Sequence, residues 1–125
     1  MNEQDYLSAA SRLETDEGLD AWSALMRVLV ATLRTLEIPA PLRPALSDAE
    51  RHWDGHHGDL LSVKADVWRF INDNWPAGTE LTAVDGRKAR ALLCVVEPSG
   101  DDEARSLTAE WFAAMVHGDP ATAQN

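Results

Sequence analysis

The stretch Leu19-Asp20-Ala21-Trp22-Ser23-Ala24-Leu25-Met26-Arg27-Val28-Leu29-Val30-Ala31-Thr32-Leu33-Arg34-Thr35-Leu36-Glu37 decides the fold class. Leu19, Trp22, Met26, Leu29, Leu33 and Leu36 recur at alternating steps of three and four, which lays them along one seam of a helix. Asp20, Ser23, Arg27, Arg34 and Glu37 fall on the other side. Leu25 and Val28 widen the seam, so this helix is expected to press against several neighbours at once. The expectation is an all-α protein, a single compact bundle of five or six helices collapsed around residues 19–37.

The flanking segments extend the same reading. Residues 2–14 place Tyr6, Ala9, Ala10 and Leu13 at helical spacing, with Asn2 as cap and Glu3 and Asp5 in the first turn, where the helix dipole favours acids. Thr15-Asp16-Glu17-Gly18 reads as an acidic turn that separates the first helix from the central one and supplies capping oxygens for it. Pro39, Pro41 and Pro44 read as a stiff extended connector of polyproline character. Ser47-Asp48-Ala49-Glu50 has the form of a capping box, predicting a helix start there. Gly55 and Gly58 then interrupt the apolar pattern, favouring two helices, the second capped by Asp59, over one helix with a weak waist. Trp75-Pro76-Ala77-Gly78 ends that segment.

Residues 81–96 carry two patterns. Asp85-Gly86 is a hairpin signal, giving the alternative of a mostly α protein with a small β-hairpin near residues 81–90. Against it, Ala89, Leu92, Leu93 and Val96 repeat at helical steps and Asp85 can cap, so a helix is expected. Pro98-Ser99-Gly100 stops it. A last helix from about Asp101 to His117 is expected to bury Ala104, Leu107, Trp111, Phe112 and Met115. Residues 1–118 are expected to form one helical domain, and residues 119–125 a flexible C-terminal tail.

Charge bounds the partners. Residues 1–20 carry six acids and one Arg, residues 21–96 nine of each sign, and residues 97–125 six acids and one Arg, which accounts for the net charge of −10. Acidity at both ends of a neutral middle repels nucleic acid and anionic membranes, and attracts a basic protein partner. The N-terminal residues show no secretory signal pattern, and no run approaches the roughly 18 apolar residues of a membrane span. The single Cys94 lies in an apolar run, which fits a buried thiol and a cytoplasmic location.

Catalytic patterns are weak. No Ser sits in a nucleophile-elbow frame, no Gly-rich phosphate loop occurs, and the surroundings of Cys94 raise a thiol pKa. The one cluster of possible ligands is Asp48, His52, Asp54, His56, His57 and Asp59. On a continuous helix Asp48, His52 and His56 would stack at i, i+4 and i+8, the basis of an alternative reading as a divalent transition-metal enzyme or sensor. The Glu that follows the first His in hydrolytic zinc helices is absent, and two glycines loosen the frame.

Five tryptophans exceed what a small core readily absorbs with every indole N–H satisfied. Trp53 and Trp75, each beside a helix break, are expected to be partly exposed and to join Asp101, Asp102 and Glu103 as partner-binding residues. The leading expectation is therefore a non-enzymatic acidic interaction protein without a cofactor. It would be an inhibitor, or an immunity or antitoxin-like protein, docking on a basic protein such as a cationic nuclease. Self-association as a homodimer through the wide apolar seam is a third reading.

Overall fold

Why each helix begins and ends where it does is legible residue by residue. The computed structural model describes residues 2–56 and 58–117. It contains α1 (Glu3–Glu17), α2 (Ala21–Arg34), α3 (Arg43–Trp53), α4 (Leu60–Asn74), α5 (Val84–Leu93) and α6 (Asp102–His117). Single 3-10 turns at Ala40–Leu42 and Thr79–Thr82 join them, and there is no strand among the described residues. The all-α expectation of five or six helices holds. No helix among the described residues is long and apolar enough to cross a membrane. The expected tail at residues 119–125 lies outside the described residues.

The caps explain the first half. The Asn2 side chain accepts from the Asp5 amide at 3.0 Å, and the Asp5 carboxylate accepts from the Asn2 amide at 2.8 Å, a reciprocal pair that satisfies two otherwise orphaned donors. α1 continues through the expected turn to Glu17 and stops at Gly18, whose φ of +66° is a left-handed geometry suited to glycine. The expected capping oxygens of residues 15–17 are taken up inside α1, and it is Asp20 that caps α2 by accepting the Ser23 amide at 2.8 Å.

Within α2, Trp22, Ala24, Leu25, Met26, Leu29, Val30 and Leu33 are buried. Ala24 lies almost opposite the predicted seam, so the helix is enclosed on more than one side, and α1, α3 and α6 all pack against it. Leu19 and Leu36, at the ends of the seam, lie outside the helix but still pack on the core. On the polar side Arg27 meets Asp54 at 3.0 Å and Arg34 grips Glu50 with two nitrogens, tying α2 to α3.

Two boundaries differ from expectation. α3 starts four residues before Ser47, because Pro44 sits in its first turn, where a missing N–H costs nothing and a fixed φ assists. The Pro-rich stretch is therefore not an extended connector: only Pro39 is extended, and Ala40–Leu42 already coils. Ser47 lies inside the helix, and Glu50, freed from a capping role, reaches Arg34. The break between α3 and α4 falls as favoured, with Gly55 at φ +100° and the Asp59 carboxylate accepting the Ser62 amide at 3.1 Å.

The hairpin alternative fails at Gly86. Asp85 and Gly86 lie in the first turn of α5, whose cap residue is Ala83 and not Asp85. A Cβ on Gly86 would fall 2.0 Å from the Glu80 carbonyl oxygen, so glycine is what lets α5 lie against the preceding 3-10 turn. α5 ends at Leu93, and the chain turns through Cys94, Val95 and Val96, both valines fully buried.

That turn organises two tryptophans. Past the end of α5 the carbonyls of Val95 and Glu97 accept the indole N–H groups of Trp53 and Trp22 at 2.8 and 2.9 Å. Trp53 is only 8% exposed, so the expectation that it lines the surface is corrected: the helix break beside it turns the ring inward, toward a carbonyl that needs a donor. One continuous core results, and buried residues from all six helices enter it, including Tyr6, Leu25, Leu29, Ile71, Leu92 and Phe112.

Candidate docking surface

α6 carries the clearest unpartnered feature. Asp101 caps it by accepting the Ala104 amide at 2.8 Å, and Asp102 and Glu103 occupy the first turn, where acids are stabilised by the helix dipole. The inward side is fixed by Ala109, Phe112 and Met115. Phe112 meets the ring of Tyr6 edge-on at 5.3 Å, and the Tyr6 hydroxyl bonds His117 Nε2 at 2.9 Å, clasping α1 to the last turn of α6. Burial of the phenol, helped by the Asp5 charge, raises the Tyr6 pKa above its ordinary value, so the hydroxyl stays protonated.

With Phe112 inward, Leu107 and Trp111 point outward, each 49% exposed. This corrects the expectation that α6 buries both. Nine of the 13 residues from 104 to 116 are apolar, so apolar periodicity alone does not select one face, and the Tyr6–Phe112 contact decides it. Among the exposed large apolar side chains, Leu61, Leu81, Val84, Leu107 and Trp111, only Leu107 and Trp111 lie four residues apart on one helix and so form a joint surface.

The charged residues of α6 beside this pair are acidic. Glu103 and Glu110 are exposed beside it. Arg105, the one base of residues 97–125, is largely covered and engaged by Asp102 at 3.3 Å and Glu14 at 3.7 Å. The ridge of α6 therefore offers two apolar side chains with carboxylates beside them and no competing free cation within that segment.

The other expected binding residues lie elsewhere or play other parts. Trp75 is partly exposed, edge-on to Phe70 at 5.7 Å, and Asp101 and Asp102 are exposed at the start of α6, the first as its cap and the second 3.3 Å from Arg105. Glu103 alone of the acidic triplet is exposed without such a role. Trp111, the exposed indole, was missed because its neighbours on α6 are as apolar as itself.

Asp48, His52 and His56 line one shallow depression of about 280 Å³ between α3 and the start of α4. The stacked i, i+4, i+8 array does not form, because α3 ends at Trp53 and His56 lies beyond Gly55 in the connecting loop. His52 instead sits edge-on to Trp53 at 4.6 Å. Among the described residues no three His, Cys, Asp or Glu side chains group to hold a metal ion, and His57 lies outside them. Cys94 is half-buried and not fully buried as expected, and desolvation pushes its thiol up to about 12, only partly offset by the Arg90 charge, which disfavours the nucleophilic thiolate.

No protein-family model, no curated protein and no solved structure matches this chain, so its function is argued from this geometry alone.

Proposed function

We propose that this protein is a non-enzymatic acidic binding module that docks on a basic surface of a protein partner through the outer face of α6. The observation that carries the reading is the half-exposed Leu107–Trp111 pair, set among Glu103 and Glu110 in a segment with a net charge of −5. An exposed indole gives a large contact at low entropic cost, and the carboxylates around it steer and orient a cationic partner. An inhibitor of the immunity or antitoxin kind, covering a cationic nuclease, is the concrete form that suits this chemistry. A cytoplasmic setting suits the lone, unreactive Cys94.

The same face is a poor surface for pairing two copies. A two-fold contact sets the patch against itself and so gathers Glu103 and Glu110 of both copies into one interface. The experiment is affinity capture from the native host with wild type and with the Leu107→Ala/Trp111→Ala double variant, at low and high salt. At least one basic protein recovered by wild type, less so at high salt, should be lost from the variant. Equal recovery by both proteins would end the proposal.

A further inference from the structure

A concave surface to which α6 contributes no residue lies between α3 and α4. α6 packs chiefly on α1, α2 and α5, whereas α3 and α4 pack on each other and, with the Ala40–Leu42 turn, line a groove. That groove has a volume of about 280 Å³ and an apolar floor that includes Leu42, Ala45, Val63 and Phe70. It runs on into the depression beside His52, the two sharing Asp48, Val63 and Asp66.

The walls of the groove carry regularly placed acids. Asp59, Asp66 and Asp73 recur at seven-residue intervals, so Asp66 and Asp73 share one face of α4, with Asp59 at its cap. At 1.5 Å per residue the interval is roughly 10 Å along the axis. Asp48 faces them from α3 across the floor. The cations on the walls are Arg51 and Arg69, and Arg69 is already paired with Asp66 at 3.3 Å. Among the described residues, no base lies within ion-pair distance of Asp48 or Asp73.

We propose that the α3–α4 groove is a docking site for a basic amphipathic helical segment of a protein partner. A guest helix has the same rise per residue as α4. Lysines seven residues apart would therefore meet Asp66 and Asp73 in register while apolar side chains between them cover Phe70 and Val63. The site goes beyond the α6 reading and does not depend on it.

The test uses the full chain and a synthetic helical peptide of about 18 residues with lysines at seven-residue spacing and leucines on the adjoining face, beside a scrambled peptide of equal composition. Binding is followed by fluorescence anisotropy and by amide chemical shifts. The ordered peptide should bind about tenfold more tightly than the scrambled one. Its shift changes should centre on residues 41–48 and 59–73.

Asp66→Asn/Asp73→Asn should weaken binding about fivefold or more, consistent with losing two ion pairs, while neutralising Asp16 and Glu17 on α1 should change it less than about twofold. All four acids are exposed, so the variants should keep the wild-type melting temperature. Leu107→Ala/Trp111→Ala should leave peptide binding unchanged, which separates this site from the α6 ridge. Equal affinity for the scrambled peptide, equal loss on neutralising α1, or shift changes confined to other helices would overturn the proposal.

Discussion

Replacing Trp53 by Phe tests the packing logic at its most specific point. The indole N–H donates to the Val95 carbonyl at 2.8 Å in a buried setting, and the ring is 8% exposed. Phe keeps an aromatic ring in place but removes the donor, leaving a buried carbonyl without its partner, which costs about 1–3 kcal/mol. The smaller ring also leaves unfilled volume, worth about 1 kcal/mol more at typical cavity costs. The expected loss is therefore about 2–4 kcal/mol, a large share of the roughly 5–15 kcal/mol that stabilises a typical domain. Urea denaturation, with unfolding followed by far-ultraviolet circular dichroism, gives the value directly. The matched control is Trp111→Phe, where a half-exposed indole is trimmed and the change should stay within about 0.5 kcal/mol. A Trp53→Phe loss no greater than that of the control would refute the role assigned to the Trp53–Val95 bond.

Three further outcomes follow from individual contacts. Gly86→Ala should destabilise by about 1–3 kcal/mol in the same assay, because its Cβ meets the Glu80 backbone at 2.0 Å and one of the two segments must move. The Cys94 thiol, pushed up to about 12 from an ordinary 9.0, should resist alkylation near pH 8 in the native protein and react once unfolded. Because the unfolded thiol ionises first, native stability should fall as pH rises from about 9 toward 12, and fall more steeply in wild type than in Cys94→Ala. The Arg34 guanidinium holds the Glu50 carboxyl below its ordinary 4.5, so the pair contributes above that pH and its contribution fades as the solution is acidified through the lowered value. Both groups are partly exposed, so Glu50→Gln near neutral pH should cost less than about 1 kcal/mol, and less again in high salt.

What could be read from the chain was the part governed by local periodicity. The α2 seam, the Asn2 and Asp59 caps and the glycine break after Trp53 each depend on residues within a few positions of one another, whereas Asp20, read as part of the polar side of the helix, proves to be its cap. The start of α3 was harder, since Pro44 breaks a helix interior yet suits a first turn, and Ser47–Glu50 resembles a cap that the Arg34 pairing makes unnecessary. Trp53 and Val95 are 42 residues apart, and no local pattern announces that a carbonyl leaving α5 needs an indole. The facing of α6 was likewise set from outside: Phe112 turns inward to meet Tyr6, from the opposite end of the chain, and this exposes Trp111. That some indole would be exposed could be expected from composition, but its place on α6 could not.

The most direct test of the central claim is hydrogen exchange on this protein with and without a basic partner captured from its host. Docking through the α6 ridge predicts slowed amide exchange across residues 104–117, with Leu107→Ala/Trp111→Ala abolishing it. Protection that leaves α6 unchanged while a tight complex forms elsewhere would contradict the account.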